Sequence, residues 1–511
     1  MFSSSEKHTA QPARGLNMNM YRGFQAQPTG EQPKGLDWTK KKLTQLAGGT
    51  FHRSEEYKNL VTALDNYKDL DRPGTHWMPG KQEELLFELQ GYAITWLEKH
   101  QDDTDPKVNS RRAVIEQFAY VDIIHEITRV KGQFTEGKVI GTVGSGQISE
   151  VKDVDYQDES GFVEKRLFKP AETTFSPDVE SAVNSGIPLQ QALLVNRAVA
   201  SYVLDQLLGF NVTVKTDYAL EPDKPVNQKR LGIAMAMAEG VSPQMEGKKD
   251  EFGEAQHFYR KIPLTPGLSA QLSTLQMLDA ITGQVDRHPG NYFISSTGKV
   301  TGIDNDFSFG KNRQDVKTPT SQADKYRSFP LYVDKAMAVK IQKVSAGEVR
   351  KALRPHLPPQ EIEATILRLI EAKFQLAKME KDGNLMDANQ WNQIQTAESK
   401  NPDSYVGSLE DAKERADQKG KAIPFDPNLP AQQQRHAEKD YLVVFDSVQN
   451  VLGASLTDLK AKNDIPKGFT SKDLPSFKLE LLHFYEMLME KYPNLSENFA
   501  LQAKIDQIMK A

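Results

Sequence analysis

An aspartate, a histidine and an asparagine occur within six residues of GQVDRHPGNYFI, residues 283 to 294, where a proline and a glycine interrupt any helix. Asp286 and Asn291 are five positions apart, and Asp304 follows Asn291 by thirteen, inside the apolar run VTGIDNDFSFG. Carboxylate and carbonyl oxygens are the ligands that Mg²⁺ and Ca²⁺ prefer, and an aspartate can accept a proton from an attacking hydroxyl. These residue types at these spacings predict metal-assisted transfer chemistry.

Phosphoryl transfer is the reaction that uses this set of side chains. A catalytic aspartate accepts the proton of the attacking hydroxyl, while an asparagine and a second aspartate hold magnesium against nucleotide phosphates. Asp286, Asn291 and Asp304 fill these roles in that order, and both spacings match the pattern of such motifs. His288 could supply positive charge or a hydrogen bond to the transferring group. Asp306 competes with Asp304 for the metal or acts as an outer ligand, and the alternative interpretation of DRHPGN is a polar surface turn.

A glycine cluster lies earlier in the chain, in GTVGSGQISEV, residues 141 to 151. Gly141, Gly144 and Gly146 are predicted to lie in a turn between two β-like runs, where missing side chains let backbone N–H groups approach a phosphate. The cluster predicts a loop that covers nucleotide phosphates. A plain β-hairpin explains the same residues equally well.

Two further segments would complete a nucleotide site. Lys169 ends the apolar run RLFKP, and a lysine on a strand after the glycine loop commonly binds the α- and β-phosphates. The run AMAMAEGVSP, residues 234 to 243, is predicted to be the strand and hinge against which adenine stacks, with Met237 and Glu239 as its nucleotide contacts. A buried core strand is an equally good interpretation of this run.

Hydrophobic periodicity predicts the elements that position these residues. The helix LSAQLSTLQMLDAITGQ, residues 268 to 284, delivers the loop that contains Asp286. Another helix, residues 189 to 210, is predicted to end near Gly209 in a left-handed cap. Strands are predicted at residues 139–143, 162–169, 212–219, 232–238, 292–294 and 300–304. A strand-rich part with one helix, followed by a helical part, predicts an α+β fold with two lobes.

The remaining segments differ in composition from this central part. We predict a disordered leader at residues 1–36, a helical region at 37–130, a catalytic domain at 131–381, an extended polar linker at 382–435 and a C-terminal helical region at 436–511. The helical prediction for the first region rests on stripes such as Leu85, Leu89 and Leu97. For the last region, a docked helical bundle is favoured over a partner-binding helix.

Composition excludes several classes of function for this chain of 511 residues. Its formal net charge of −5 and pI of about 6.1 do not indicate a nucleic-acid-binding protein. Because it contains no cysteine, disulfides, thiol catalysis and cysteine-ligated metals are excluded. No run approaches the roughly 18 apolar residues of a membrane helix, and no secretory signal is recognisable, so a soluble, cytoplasmic protein without a transmembrane segment is expected.

The motifs as a group resemble a known kinase superfamily. VDRHPGNYFI followed by GIDNDFSFG resembles the motifs of the phosphatidylinositol 3-/4-kinase-like and actin-fragmin-kinase-like atypical kinases. LFKP is similar to the segment that carries the nucleotide lysine in type II phosphatidylinositol 4-kinases, and VASYVLDQLLGFNVTVKT looks like the helix and strand that follow it. The resemblance covers about residues 135 to 380. It implies a two-lobed protein-kinase-like fold, with a β-rich N-lobe and a helical C-lobe, to which N- and C-terminal helical regions are added.

The resemblance also implies ATP and Mg²⁺ as cofactors and a role for each matching residue. It implies that Lys169 contacts the phosphates, that Asp286 is the catalytic aspartate and that Asn291 and Asp304 hold the metal. The residues implied to cover the phosphates are Gly144, Ser145 and Gly146. The superfamily includes protein kinases, inositol lipid kinases and inositol phosphate kinases, so the substrate is left open.

One position departs from the pattern of that superfamily. Related helices often read Asn-Arg-Glu-Val-Ala, in which the glutamate pairs with the lysine, whereas this chain has Ala198 at the glutamate position. Glu172 or Glu180 could substitute from the preceding loop, or Lys169 could be held in another way. An inactive kinase that acts as a binding module therefore remains an alternative.

Substrate and location are expected from weaker features. The mildly acidic charge favours a protein substrate over a lipid, with a host protein as one candidate and transfer of AMP as a further alternative. The polar leader, the absence of cysteine and the appended helical regions suggest a bacterial effector kinase secreted into a host cell as a virulence factor, with an activating partner there.

Overall fold

Helices surround a five-stranded antiparallel sheet in the computed structural model, so the α+β prediction is confirmed. The described residues are 33–46, 54–70, 80–145, 150–157, 160–171, 185–188, 192–225, 228–249, 255–312 and 329–419, with a few positions between 421 and 433. The predicted leader up to residue 32 and the predicted C-terminal helical region lie outside them.

The N-terminal region is helical, as predicted. Its helices are α1 (Leu36–Leu46), α2 (Glu55–Leu70), α3 (Lys81–Lys99), α4 (Pro106–Gln117) and α5 (Ile123–Lys131), with a π-helical turn at Phe118–Asp122 between the last two. The predicted stripe on α3 is buried. Residues 33–35, which the prediction assigned to the leader, are ordered: the Asp122 carboxylate accepts hydrogen bonds from the backbone N–H groups of Lys34 at 2.6 Å and Gly35 at 3.2 Å.

The central sheet carries the nucleotide-site candidates of the first half. Its strands are β1 (Gly137–Ser145), β2 (Glu150–Gln157), β3 (Val163–Pro170), β4 (Thr216–Leu220) and β5 (Leu231–Met235). All neighbours in the order β1-β2-β3-β5-β4 are antiparallel. Helix α6 (Leu194–Leu208) packs on this sheet. It ends at Gly209, whose φ of +68° confirms the predicted left-handed cap.

The following segment supplies a hairpin and the helix that delivers the second group of candidates. The hairpin strands are β6 (Gln244–Lys249) and β7 (Ala255–Arg260), which hydrophobic periodicity did not predict. Helix α7 (Pro266–Thr282) begins with a proline in its first turn and with a hydrogen bond from the Leu268 N–H to the Thr265 hydroxyl. Thirteen of its residues are buried, so α7 is a core helix. The short antiparallel strands β8 (Tyr292–Ile294) and β9 (Val300–Gly302) follow.

Helices complete the second half around α7. They are α8 (Lys335–Lys343), α9 (Ala346–Leu353) and α10 (Pro359–Asp382), and their apolar faces join α7 in the largest hydrophobic cluster of the described residues. A two-stranded parallel pair adds β10 (Val333–Asp334) to β11 (Leu385–Met386). None of the helices that the structure describes is long and apolar enough to cross a membrane.

The prediction of an extended linker over residues 382–435 is wrong for much of its length. Helices α11 (Trp391–Glu398) and α12 (Tyr405–Gln418) lie there, and β12 (Ala422–Ile423) pairs with β7. The Trp391 side chain is buried, and the Tyr405 hydroxyl donates to the Asp279 carboxylate on α7 at 2.8 Å. Few apolar residues mark this polar segment, and their burial against α7 and β7 stabilises helices that local pattern did not predict.

Backbone hydrogen bonds join the sheet to the helical half. Val214, which precedes β4, donates to the Gly302 carbonyl at 3.1 Å, and Val241 exchanges hydrogen bonds with Ile294 at 3.0 and 2.8 Å. Gly240 has φ +90°, and a Cβ there would lie 2.0 Å from the Ile294 carbonyl oxygen. Only glycine fits this close approach. The connection after β5 is therefore fixed against β8.

Candidate functional site

Lys169 on β3 lies between two carboxylates from the segment after β9. Its Nζ atom is 2.6 Å from Asp304 Oδ1 and 2.8 Å from Asp306 Oδ2. The exposed fractions of the three side chains are 14 % for Lys169, 41 % for Asp304 and 6 % for Asp306. The structure thus brings together a lysine and an aspartate that are 135 positions apart in the chain. Asp304 faces solvent, whereas Asp306 is buried behind the lysine.

Burial and mutual attraction shift the pKa values of these three groups. Burial would lower the pKa of Lys169, but the carboxylates of Asp304 and Asp306 raise it well above its ordinary value. Burial raises the pKa of Asp306 to about 6, although the Lys169 ammonium opposes this shift. For Asp304, burial acts in the same direction, but Lys169, Arg287 and His288 together hold its pKa below the ordinary range. Asp304 is therefore an anion near neutral pH.

The backbone at Asp304 is in the left-handed region. Its φ is +54°, which is uncommon for a residue with a Cβ and is found where surrounding contacts impose it. Two hydrogen bonds hold this backbone: Gln284 Nε2 donates to the Asp304 carbonyl at 3.2 Å, and Arg287 Nη1 donates to the Ile303 carbonyl at 2.6 Å. The loop after α7 thus sets the direction of the Asp304 carboxylate.

Arg287 connects the two predicted motifs, a role that sequence reasoning did not assign. Its buried guanidinium forms two hydrogen bonds with the Asp279 carboxylate on α7, at 2.8 and 3.1 Å. It also donates to the Asn291 carbonyl and to the Asn305 side chain. The arginine directly after Asp286 was the available signal, but only the fold shows that its side chain turns inward.

Asn291 is held by the same loop that contains Asp286. Its Nδ2 donates to the Asp286 carbonyl at 2.8 Å, and its backbone N–H donates to the His288 carbonyl at 2.8 Å. Its own carbonyl accepts from the Ile303 N–H at 2.9 Å. Since the amide nitrogen is used within the loop, the side-chain oxygen Oδ1 is the atom that could bind a cation. Asn291 therefore lies beside the segment that ends in Asp304.

Asp286 and His288 act electrostatically on the acidic pair. The Asp286 carboxylate contributes to raising the pKa of Asp306, and His288 contributes to lowering the pKa of Asp304. The His288 Nδ1 atom accepts the Gly290 N–H at 3.1 Å, so the neutral ring carries its proton on Nε2. That Nε2–H is a donor suited to an anionic oxygen.

The glycine-loop candidates are described only in part. Gly144 and Ser145 are the last residues of β1 and pair with Val151 and Glu150 of β2, so they lie in a strand rather than in the predicted turn. Gly146 lies outside the described residues. The loop that we predict to cover phosphates thus connects β1 and β2 next to β3.

Met237 and Glu239 follow β5 in an extended connection. Both are exposed, Met237 to 44 %, and they lie two and four positions beyond Met235. Met235 lines the small cavity beside Lys169. Neither Met237 nor Glu239 lines that cavity, and their role in nucleotide binding stays a prediction.

The small cavity behind Lys169 has a volume of about 10 Å³. It is lined by Lys169, Ala198, Val214, Thr216, Ile233, Met235, Asp304, Asn305 and Asp306. This is room for about one water, so a nucleotide would have to bind on the other side of the ion pairs, where Asp304 is exposed. A larger cavity of about 540 Å³ lies on α10 and is lined by Lys311, Ala364, Leu367, Arg368, Ile370, Glu371, Phe374 and Gln375, none of which is a predicted site residue.

The residues near Asp304 fit a magnesium ion that phosphates and water help to hold better than they fit a metal ion held by protein ligands alone. The described part of the chain has no cluster of three or more His, Asp or Glu side chains that could hold a metal. Mg²⁺ is commonly held by one or two carboxylates together with substrate phosphates and water. Asp304 could supply one such carboxylate, and a magnesium site that also uses Asn291 Oδ1 and a nucleotide stays a prediction.

Helix α6 approaches the site without a carboxylate. Ala198 is 5 % exposed and lines the small cavity, while Glu172 and Glu180 lie outside the described residues. The neighbouring residue Arg197 makes the polar contacts at this point of the helix. It pairs with Glu361 on α10 at 2.5 Å and donates to the Ser308 carbonyl at 2.6 Å. The helix is thereby fixed to the segment that follows Asp304.

The chain matches no protein-family model and no curated protein sequence.

Proposed function

We propose that this protein is an ATP- and Mg²⁺-dependent phosphotransferase with a two-lobed kinase-like fold, acting on a hydroxyl group of a protein substrate. The observation that carries this proposal is the meeting of Lys169 and Asp304 at 2.6 Å, beside the loop that holds Asp286 and Asn291. A cation from the sheet and an anion from the helical half would then border one nucleotide. Phosphoryl transfer depends mainly on such positioning and charge stabilisation.

Each side chain has a distinct role in this proposal. The Lys169 ammonium binds phosphate oxygens, and Asp304 with Asn291 Oδ1 holds magnesium, which neutralises charge on the phosphates. Asp286 accepts the proton of the substrate hydroxyl. His288 donates Nε2–H to an oxygen of the transferring phosphoryl group, because the Gly290 N–H occupies Nδ1.

Lys169 must leave Asp304 before it can bind a nucleotide. In the described state its ammonium is shared by Asp304 and Asp306, so the phosphates of ATP have to replace the Asp304 carboxylate as its partner. Asp304, which is 41 % exposed, then becomes available to the metal. In this proposal the ion pairs of Lys169 belong to the nucleotide-free state, and ATP binding replaces the pair with Asp304.

A protein hydroxyl is preferred as acceptor on the basis of charge. The chain carries a formal net charge of −5, whereas enzymes that work on anionic membranes commonly present basic clusters near the surface. Inositol lipids and inositol phosphates are the rival acceptors in the same reaction class.

The test uses ATP labelled on the γ-phosphate, magnesium and a cell lysate. We expect label in the protein fraction with the wild type and with the control variant Asp387→Asn. Asp387 is 54 % exposed and pairs with Lys335 outside the proposed site. Asp304→Asn should abolish the label. Label that persists in Asp304→Asn, or label found only in the organic extract, would contradict the proposal.

A nucleotide-binding module without transfer is favoured by one observation, the alanine at position 198 beside Lys169. Thermal shift separates the two functions. A module would gain stability from ATP and magnesium, with loss of this gain in Lys169→Ala, but would transfer no label. ATP labelled on the α-phosphate identifies transfer of AMP.

A further inference from the structure

We propose that Asp306 is the positioning residue for Lys169 and replaces the helix carboxylate that Ala198 lacks. This inference rests on the proposed nucleotide-binding function of the same site. It assigns Asp306 to the lysine rather than to the metal. The supporting observations are the contacts of Asp306, its burial and the hydrogen bonds that attach its segment to α6.

Asp306 is placed to stay paired with the Lys169 ammonium after Asp304 has left it for the metal. Its Oδ2 atom is 2.8 Å from Lys169 Nζ, and its side chain is only 6 % exposed, against 41 % for Asp304. A metal that also contacts nucleotide phosphates requires an accessible carboxylate, which Asp304 provides. Asp306 lies on the inner side of the lysine and can hold one N–H of the ammonium while the others turn towards phosphates.

Helix α6 is coupled to the lysine through the segment that carries Asp306. Arg197 donates to the Ser308 carbonyl at 2.6 Å, and the Ser201 hydroxyl donates to the Asn305 carbonyl at 3.2 Å. These two bonds flank Asp306 on both sides. A carboxylate on the helix would reach the lysine directly, whereas here the helix fixes residues 305–308 and Asp306 reaches the lysine for it.

Without Asp306, Asp304 is the only carboxylate among the described residues that contacts Lys169. The lysine would then compete with the metal for Asp304, and it would no longer be held towards the phosphates. Both effects weaken nucleotide binding through Lys169. The contribution of Asp306 should therefore disappear when Lys169 is absent.

A double-mutant cycle with Lys169→Met and Asp306→Asn tests this dependence. The probe is ATP, titrated calorimetrically into the full chain with magnesium and again with EDTA in its place. We expect Asp306→Asn to weaken ATP binding about tenfold to a hundredfold, as loss of an outer positioning partner commonly does. In the Lys169→Met background the same change should alter affinity by no more than about twofold, or improve it, because a buried anion near the phosphates is removed.

Asp304→Asn is the comparison: it should weaken ATP binding in titrations that contain magnesium, but not in EDTA, where only a carboxylate that competes with the phosphates for Lys169 is lost. A merely structural role of Asp306 would not depend on Lys169, and thermal unfolding of each variant establishes that it folds. If Asp306→Asn fails to fold, Asp306→Ser enters the same cycle. An Asp306 effect that persists in full without Lys169 overturns the assignment and indicates a structural role. An effect that vanishes in EDTA also overturns it and makes Asp306 a metal ligand.

Failure of the proposed function is seen separately in the wild type. A wild-type chain that binds no ATP under either condition removes the nucleotide site, and the assignment of Asp306 falls with it. A wild type that binds ATP while Asp306→Asn binds equally well removes the assignment alone.

Discussion

Replacing Lys169 by methionine tests how much the ion pairs of Lys169 contribute to the free energy of unfolding. Methionine keeps most of the apolar stem but removes the ammonium that lies 2.6 Å from Asp304 and 2.8 Å from Asp306. Two neighbouring carboxylates then remain without this cation. Because Asp304 is 41 % exposed, water screens its share of the loss, and the buried Asp306 bears most of the cost.

The magnitude follows from two limits. Removing one partner of a buried ion pair commonly costs about 3–5 kcal/mol. Asp306 can avoid an unpaired charge by taking up a proton. Because the pKa of Asp306 is already about 6 beside Lys169, this uptake costs, relative to wild type, about 1.4 kcal/mol for each pH unit above 6. This limit is about 2 kcal/mol at pH 7.5 and close to zero at pH 5.5. The folded variant binds more protons than its unfolded chain, so its loss of stability should shrink as the pH falls.

Denaturant unfolding of wild type and variant at the two pH values measures these losses. Lys165→Met is the matched control on the same strand, since Lys165 is 50 % exposed and lies 3.5 Å from Asp153. We expect it to cost less than about 1 kcal/mol, with little dependence on pH. Adding Asp306→Asn to Lys169→Met should recover part of the loss, because the buried charge is removed with its partner.

Equal losses for Lys169→Met and Lys165→Met would refute the reasoning. A loss for Lys169→Met that is as large at pH 5.5 as at pH 7.5 would also refute it, since Asp306 would then not be the buried acid that the lysine neutralises.

Two further predictions concern the framework. Burial lowers the pKa of His356 to about 4, so the unfolded chain takes up its proton first as the pH falls from 6.5, and stability is lost in that window. When the pH falls from 7.5 to 4, the free energy of unfolding of His356→Gln should decrease by up to about 3 kcal/mol less than that of the wild type, as measured by denaturant unfolding. An equal decrease in both proteins would contradict this prediction. Gly240→Ala should cost about 1–3 kcal/mol more than Gly80→Ala, because both glycines have positive φ but only Gly240 meets a carbonyl, that of Ile294, at 2.0 Å. Thermal unfolding compares the two, and similar losses would exclude the close approach.

Local pattern predicted the helices of the N-terminal region, α6 with its Gly209 cap, and α7. These succeed because a helix closes its hydrogen bonds within the segment and shows its buried face every three or four residues. Strand β2 and the β6–β7 hairpin were not predicted, because a strand is completed by partners elsewhere in the chain. Helices α11 and α12 were missed because burial of a few residues, Trp391 among them, outweighs a polar composition.

Sequence by itself determined the residue types and their spacing: a lysine in the first half, and an aspartate, an asparagine and a second aspartate in the second. It also determined that Ala198 cannot pair with that lysine. Only the tertiary structure decided that Asp306 joins Asp304 on Lys169, and that Arg287 holds the two motifs together from within. The physical reason is that ion pairs and hydrogen bonds act over a few ångströms, whereas these partners are up to 137 positions apart and meet only through the folded sheet and α7.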